Sequence, residues 1–599
     1  MALIQIQDFI GSIPMRSKRL LDERTAAFAQ NCNLERGELS GFSGPQPVHQ
    51  FDPPLNPEPV KVFRVLDTGT GDEHWLSSQH RDAEIIQSPL VDDSLRRWYL
   101  FEPDAPVQVA SFQELQSGQF SKLAFDYPQE PPVLELSDPP EPPSGEEDDP
   151  IEAALSRGRV IDRVYLYTFV TEWGEESMPS PSASISVPPD ADFVRVKIDK
   201  GNPEIEGREF AHIRVYRSVT GAAGGQLYFL VDIPFDQALV DGFTVYEDSQ
   251  QSKVVALNDS IQSWVYEAPP DGLRGARVHP SGSIVAFKGR DVYFSEAYRP
   301  HAWPSEWKLT MADEVVAVEI LAQMIIVLTK SHPVIVYGER AEALGMMSYS
   351  FPMPCLSYGS VVAFPDAIFY ASTDGLVAFS QNGPRLMTQK LLTKTQWQGE
   401  YRPAEINGAR FENRYIGFWP DGNGFLVERS GRNSSIVQLT GFPPNSAASN
   451  DLYNDDVHMV SGNTVLRFSS DQTSKVDYVW RSKEFVSPRK MNFAAFMAFF
   501  DDDDASDGGC MIDPNTGVWA CGTWDEISPI HDGKFDRRKE VLVKVYADGH
   551  KVFEGAVRNQ EFVRMPSGFK AYTWYLEITG QCRLYSVTMT DTGKGQADA

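Results

Sequence analysis

Short apolar segments separated by turn residues dominate the hydrophobic pattern between residues 282 and 338. Helical periodicity is almost absent, and runs of four to six apolar residues bounded by turns are typical of β-strands. The tight turn Lys288-Gly289-Arg290 separates the first two strands. The strands predicted in this stretch are Ser283–Phe287, Val292–Ser295, Val315–Val318, Met324–Leu328 and Val334–Tyr337.

Three later segments repeat the order strand, Gly or Asn turn, strand. They are Asp366–Ser380, Asn413–Val427 and Val457–Phe468. The motif recurs at roughly the 40 to 50 residues that one four-stranded propeller blade needs. No signature such as Trp-Asp is shared between the repeats. The spacing predicts a β-propeller over residues 256–490 and leaves the number of blades open.

The regions on either side of the predicted propeller also favour β-structure. Residues 1–125 predict a β-rich N-terminal platform with a short helix over Ser17–Asn33, capped by Ser17. Residues 491–599 predict a C-terminal β module that carries an acidic loop. The strands expected in these two regions are Lys61–Val65, Glu73–Leu76, Leu95–Phe101, Glu540–Tyr546, Lys551–Phe553, Tyr572–Ile578 and Arg583–Met589.

Residues 126–158 form a region of different composition. Asp126–Pro150 contains no basic residue and is dense in proline. Such a segment is expected to be an extended, solvated connector that adds to no core and no sheet. A docking motif is the alternative interpretation.

Alternation of apolar and polar residues returns over residues 159–255. Val164–Glu172 is followed by a Trp-Gly turn, and further strands are expected at Ser180–Val187, Ile213–Ser218, Leu227–Val231 and Thr244–Tyr246. The pattern predicts an antiparallel sandwich similar to fibronectin type III. The fold class that follows is mainly β and multi-domain, a β-propeller with inserted or flanking sandwich modules.

Composition narrows the classes of function. With 599 residues the chain is too long for a single core. It carries 83 acidic and 54 basic residues, a net charge of −29, which argues against tight binding of nucleic acid. The first ten residues lack a basic n-region, and Ile320–Thr329 is too short to cross a bilayer. We therefore expect no secretory signal, no membrane span and folding in a cytoplasm.

The five cysteines are scattered along the chain: Cys32, Cys355, Cys510, Cys521 and Cys582. This spacing is typical of reduced, buried thiols and matches neither a disulfide framework nor a zinc knuckle. A bond between Cys510 and Cys521 across a hairpin stays open as an alternative.

Sequence motifs for catalysis and cofactor binding are missing. The chain has no His-Glu-x-x-His helix, no Gly-x-Ser-x-Gly elbow, no Walker loop and no dinucleotide fingerprint. Ser372-Thr-Asp-Gly375 is one residue short of the aspartate box of sialidase propellers. We therefore expect no enzyme activity, no catalytic residues, no cofactor and no resident metal.

Two clusters remain as candidate sites. Asp501, Asp502, Asp503, Asp504 and Asp507 form an acidic loop that lacks the closing glutamate of a calcium loop, so a solvated loop is favoured over a calcium site. His301 and Trp303 are able to stack a sugar, although packing at a blade rim explains them more simply. Arg299 is expected to pair with a nearby acid or backbone group.

Four motifs resemble those of tail proteins of short-tailed bacteriophages, and the chain is similar in module order to the tail nozzle, or tail tubular protein B, family. The motifs are Ala26–Leu39, Trp75-Leu76 with Arg96-Arg97-Trp98-Tyr99, Thr171-Glu-Trp-Gly-Glu-Glu-Ser177, and Val292-Tyr-Phe-Ser-Glu-Ala-Tyr-Arg-Pro-His-Ala-Trp-Pro304. The proline- and acid-rich stretch Asp126–Pro150 departs from that family.

The resemblance implies a structural virion protein, a homo-oligomer that is most simply a hexameric ring. Its partners would be tail adaptor ring proteins and tail fibres, with transient passage of viral double-stranded DNA through the channel. The protein would reside in the virion tail after assembly in the host cytoplasm. The alternative is a tail protein that binds or depolymerises a host glycan through its propeller face. Separately from the resemblance, Asp501–Asp504 and Asp507 are candidate lumen-facing residues, because adjacent aspartates repel one another less beside a wide aqueous lumen. The alternative for this loop is that the acidic balance only keeps the protein soluble.

Overall fold

The computed structural model describes residues 3–67, 70–137, 161–188, 191, 193–219, 226–338, 341–428, 434–470, 473–501, 509–512, 519–522 and 540–591. The chain divides into two compact units. One contains residues 1–81, 328–334 and 348–599, and the other contains residues 82–327 and 335–347. The five contiguous ranges predicted from sequence stay predictions at their boundaries.

Six groups of four strands in the part of the chain that the structure describes have the strand order of β-propeller blades. Their strands, blade by blade, are Glu84–Gln87, Trp98–Phe101, Gln108–Ala110 and Ser121–Lys122; Arg274–Val278, Ile284–Lys288, Asp291–Phe294 and Leu309–Thr310; Val315–Leu321, Met324–Thr329, Val334–Tyr337 and Gly345–Ser348; Val362–Ala363, Ala367–Ser372, Gly375–Ser380 and Gly383–Leu386; Asn407–Phe411, Arg414–Phe418, Gly424–Val427 and Ile436–Leu439; Ala447–Asn450, Val457–Ser461, Thr464–Arg467 and Gln46–Gln50.

The central hairpin of one blade shows how the sequence specifies this structure. Ala367–Ser372 and Gly375–Ser380 are buried along almost their whole length, as expected of continuous apolar runs covered on both faces. Ser372 pairs with Gly375, which leaves a two-residue turn. A Cβ at position 375 would lie 2.1 Å from the Thr388 hydroxyl, and the backbone φ is +151°. The Asp374-Gly375 step therefore lies where the hairpin turn meets its second strand.

The last blade takes its fourth strand from the N-terminal part of the chain. Thr464 pairs with Gln50 and Arg467 with Gln46. A hairpin of strands Lys61–Leu66 and Glu73–Ser78 follows this strand and packs Trp75 on the same blade. Its ring stacks on His49 at a centroid distance of 5.3 Å. The propeller thus uses residues that the sequence pattern assigned to a separate platform.

The N-terminal and C-terminal parts of the chain share one module. Leu3–Gln7 pairs with Leu584–Thr590 in a sheet that also contains Ala495–Phe500 and Val563–Arg564. A second sheet joins the blade strand Ile436–Leu439 to the C-terminal strands through the N-terminal ones. Besides the blade strands Asn407–Phe411, Arg414–Phe418 and Gly424–Val427, its remaining strands are Ile10–Ser12, Thr25–Gln30, Tyr478–Ser482, Ala571–Gly580, Glu540–Ala547, His550–Arg558 and Phe485–Met491.

The helix predicted over Ser17–Asn33 is wrong. Thr25–Gln30 and Cys32–Asn33 are strands, and Ala26 pairs with Ser482. The alanines favour a helix locally, but burial of Ala26 and Ala29 between partner strands decides the conformation. The strand at Cys32 pairs with Ser40–Gly41.

Residues 159–255, where the sequence predicts a sandwich, contribute six strands to a fold of two sheets whose seventh strand is Val133–Leu136. One sheet contains Ala183–Val187, Ile161–Thr171, Phe210–Ser218 and Leu227–Pro234, and the other contains Val133–Leu136, Val194–Ile198 and Thr244–Asp248. Four strands facing three is the arrangement of the immunoglobulin and fibronectin type III sandwiches. In chain order the sandwich lies between the blade that ends at Lys122 and the blade that begins at Arg274.

The expectation that Asp126–Pro150 adds to no sheet is wrong for Val133–Leu136. Leu134 pairs with Val196 and Leu136 with Val194, and both leucines pack against the sandwich core. A single apolar Val-Leu-Glu-Leu run is sufficient to complete an edge even within a proline-rich segment. Residues 138–160 lie outside the described residues.

The helices among the described residues are short. They are the α-helices Phe112–Gln116, Ser252–Val255 and Lys394–Glu400 and the 3₁₀ turns Ser263–Val265, Ser305–Trp307, Ala341–Ala343, Tyr358–Ser360 and Pro403–Glu405. Gly509–Ile512 and Trp519–Gly522 form one further hairpin. Among the described residues, no helix combines the length and the apolar character that a membrane span requires.

Candidate functional site

Motifs far apart in the sequence meet where the sandwich contacts the blades within one unit. The turn after strand Ile161–Thr171 presents Trp173, Glu175 and Glu176, and Gly174 enables this turn with a φ of +77°. Arg97 comes directly before strand Trp98–Phe101, and Arg208 lies two residues before strand Phe210–Ser218. Each charged side chain is thus fixed by the end of a paired strand.

Glu175 lies between two buried guanidinium groups. An Arg208 Nη1–H donates to Glu175 Oε2, and Arg97 Nη1 lies 3.5 Å from Oε1. The side chains of Arg208 and Glu175 are 0% and 4% exposed. Arg97 also donates from Nε to Asp93 at 2.9 Å. Burial raises the pKa of the Glu175 carboxyl, and the two guanidiniums act against this rise.

Aromatic rings and backbone carbonyls complete the environment of these arginines. The Trp173 ring lies 5.1 Å from the Arg208 guanidinium carbon and 5.7 Å from that of Arg97, which is cation–π distance. Arg208 Nη2 donates to the carbonyls of Lys122 and Leu123 at 2.6 and 3.0 Å. Arg208 therefore ties the sandwich to the last strand of the first blade. We call Asp93, Arg97, Trp173, Glu175 and Arg208 the joint cluster.

Glu176 makes a second connection. It accepts hydrogen bonds from Tyr216 Oη at 2.8 Å and from Ser263 Oγ at 3.0 Å. Tyr216 belongs to the sandwich, whereas Ser263 lies in the segment that leads to the next blade. The Glu176 carboxylate therefore links the sandwich to the segment that leads to the next blade.

The blade motif around His301 contributes to the same region. Trp303 is only 2% exposed, and its Nε1–H donates to the Pro300 carbonyl at 2.7 Å, so its ring has no free face for a sugar. Arg299 lies 5.0 Å from the Tyr266 ring and donates to Gln262. His301 is 9% exposed. Burial lowers the pKa of His301 to about 3, and the neighbouring arginines act in the same direction.

A cleft of about 610 Å³ lies above His301. Its walls come from the segment after the first blade, from a sandwich loop and from the entry to the next blade. The polar and aromatic lining residues are Lys122, Phe125, Asp126, Tyr127, Ser177, Glu204, Glu206, Tyr266, Glu267 and His301. Among them, His301 was considered from sequence as a ligand-contacting residue, whereas Ser177 belongs to the Thr171–Ser177 motif and Asp126 and Tyr127 to the predicted connector.

Of the acidic loop predicted from sequence, only Asp501 is among the described residues. Asp501 accepts a hydrogen bond from Tyr585 Oη at 2.5 Å, and its N–H donates to the Arg583 carbonyl. Asp502, Asp503, Asp504 and Asp507 lie outside the described residues. The assignment of this loop to a channel lumen stays a prediction.

Among the described residues, no group of three or more His, Cys, Asp or Glu side chains is arranged to hold a metal ion. The thiols of Cys32, Cys355 and Cys582 are buried. The hairpin register places Cys510 opposite Cys521. In the joint cluster, ion pairs and cation–π contacts already engage the charged groups.

Sequence reasoning missed the pairing of Arg208 with Glu175. The Thr171–Ser177 turn and Arg96–Tyr99 were recognised as motifs, but their contact depends on how the sandwich folds back on the blades. Arg208 stands in a polar loop between Gly207 and Glu209, with no neighbouring pattern to mark it. The available signal was the position of Arg208, a charged residue close to the start of strand Phe210–Ser218.

The fold and site define a propeller protein with an inserted sandwich. No protein-family profile matches the chain, and no curated protein matches it. Among solved structures it is similar to the WD40 repeats of RRP9, at 11% identity over 47% of this chain and 92% of that chain, with a TM-score of 0.24. It is also similar to BBS1N in complex with ARL6DN, at 9% identity over 46% and 86%, with a TM-score of 0.23. Similarity at this level indicates neither the function nor the binding partners of this chain.

Proposed function

We propose that this chain is a structural virion protein, the tail nozzle of a short-tailed bacteriophage. In this proposal it forms a closed, most simply hexameric ring that extends the DNA ejection channel below the adaptor ring and offers docking surfaces to tail fibres. The ring assembles in the host cytoplasm and resides in the virion tail. Viral double-stranded DNA passes through it transiently.

One observation carries this proposal. Motifs that resemble those of nozzle proteins, around Arg97, Glu175 and His301, come together in one buried joint between the sandwich and the blades. Buried ion pairs are costly to break by removing one partner, so the joint holds the sandwich firmly. A firmly held sandwich suits a component that transmits force within an assembly.

The net charge of −29 is compatible with this role. A basic channel wall would retain DNA through counterion release, whereas an acidic wall repels the phosphates. The same charge also favours solubility of a large β assembly. The charge therefore supports the proposal only in combination with the joint.

The experiment is reconstitution with the adaptor ring protein of the same virus. We expect hollow rings in negative-stain images and a hexamer mass in native mass spectrometry, because identical subunits with heterologous contacts close into rings. An adaptor from an unrelated phage is the control. Monomers alone in the presence of the cognate adaptor would contradict the proposal.

A further inference from the structure

The cleft above His301 has the volume of a small-ligand site. About 610 Å³ lies within the range of roughly 300 to 1,000 Å³ that such sites occupy. It is distinct from the joint cluster, whose charged groups are engaged with one another. The proposed nozzle role does not use this cleft.

The walls of the cleft are fixed before any ligand arrives. The Asp126 N–H donates to the Glu204 carbonyl at 3.1 Å, and the Glu204 N–H donates to Asp126 Oδ2 at 2.8 Å. Arg208 also donates hydrogen bonds from Nη2 to the carbonyls of Lys122 and Leu123. A preformed wall reduces the entropy that a ligand must overcome on binding.

The lining is acidic without being a metal site. Four acidic residues, Asp126, Glu204, Glu206 and Glu267, and one lysine, Lys122, line the cleft. They do not converge, because no described group of three or more such side chains is placed to hold a metal ion. Separated carboxylates act as hydrogen-bond acceptors around an organic ligand, and their negative charge disfavours anions such as phosphates, uronic acids and sialic acids.

Aromatic groups occupy the remaining wall. Tyr127 is 40% exposed, and Phe125 is partly exposed. His301 lies 6.1 Å from the Phe125 ring and 5.7 Å from the Tyr266 ring, measured between centroids. Its Nε2 is buried and has no hydrogen-bond partner among the described residues. The lowered pKa of His301 leaves this imidazole neutral at physiological pH.

We infer that this cleft binds a neutral saccharide, one or two sugar rings in size. A sugar ring offers an apolar face for Tyr127 or Phe125 and hydroxyls for the carboxylates and Lys122. The inference differs from the sequence-based hypothesis of stacking on Trp303, which is buried. It holds whether or not the chain is a tail nozzle.

The test is titration calorimetry of the full chain with glucose, galactose, N-acetylglucosamine and their β-linked disaccharides. We expect at least one to bind with a Kd of about 1 mM or tighter. Tyr127→Ala should weaken binding about threefold to tenfold through lost stacking, and Glu206→Gln about tenfold through a lost charge-assisted hydrogen bond. Both side chains are exposed, so folding is expected to persist.

Glu209→Gln is the matched control, because Glu209 is exposed, lies three residues from Glu206 and does not line the cleft. Its affinity should equal that of the unmodified chain. Absence of binding across the panel, or binding that both cleft variants leave unchanged, would overturn the inference. Binding of spermidine or an oligolysine peptide that Glu206→Gln abolishes, without saccharide binding, would also overturn it and assign the cleft to cations.

Discussion

Glu175 pairs with both Arg97 and Arg208 and has almost no solvent contact. Glu175→Gln leaves both guanidiniums buried without their shared carboxylate. We expect a loss of about 3 to 5 kcal/mol in the free energy of unfolding, measured by urea denaturation. Glu172→Gln, an exposed neighbour, should change this quantity by less than about 0.5 kcal/mol. A loss below about 1 kcal/mol for Glu175→Gln would show that the joint is not held by these pairs.

His301 predicts a pH dependence with a definite sign. Its pKa of about 3 lies below the ordinary value of 6.5, so protonation favours the unfolded chain. Its contribution to stability is fully present above pH 6.5 and decreases by about 1.4 kcal/mol per pH unit as the pH falls towards 3. Between pH 7 and 5, the unmodified chain should lose about 2 kcal/mol more than His301→Gln. Equal losses in urea denaturation at the two pH values would contradict a neutral buried imidazole.

At the scale of elements, the strand Val133–Leu136 gives the most direct test. Leu134 and Leu136 point to the sandwich core, whereas Val133 is 48% exposed. Replacing both leucines by alanine should lower the free energy of unfolding by about 2 to 4 kcal/mol, less than for two fully buried leucines. Val133→Ala should cost less than about 0.5 kcal/mol. Similar small effects for both variants would mean that this strand does not stabilise the sandwich.

Deletion of Pro139–Asp149 is still expected to leave the chain folded.

The elements also show where sequence patterns suffice. The hairpin at Asp366–Ser380 was predicted because two apolar runs flank an Asp-Gly step, which is local information. Thr25–Gln30 was misassigned because its alanines favour a helix, while its strand conformation depends on partners such as Ser482. The joint cluster and the cleft were missed for the same reason: the segments around residues 97, 175 and 208 acquire their chemistry only when the sandwich folds.

At the scale of the whole molecule, the acidic balance leads to a prediction about passage of DNA. If the Asp501–Asp504 loop faces a channel, replacing these four aspartates by lysine should slow DNA release from assembled particles. The effect should be larger at low than at moderate salt, because screening acts over about 8 to 10 Å. Release is timed in particles checked for normal number and tail content. Unchanged kinetics at both salt concentrations would remove the lumen assignment of the loop.

The shared module of the two chain ends has a consequence for biosynthesis. Trp480 donates its Nε1–H to the carbonyl of Ile10, 470 residues away, and Leu3–Gln7 has its partner strand at Leu584–Thr590. A ribosome that adds about 5 to 20 residues per second needs roughly 25 to 95 s to span that separation. Until then the first strands present unpaired edges, which are prone to wrong pairing with neighbouring chains. Nascent chains on one messenger are therefore expected to depend on chaperones that hold the N-terminal segment until the C-terminal strands emerge.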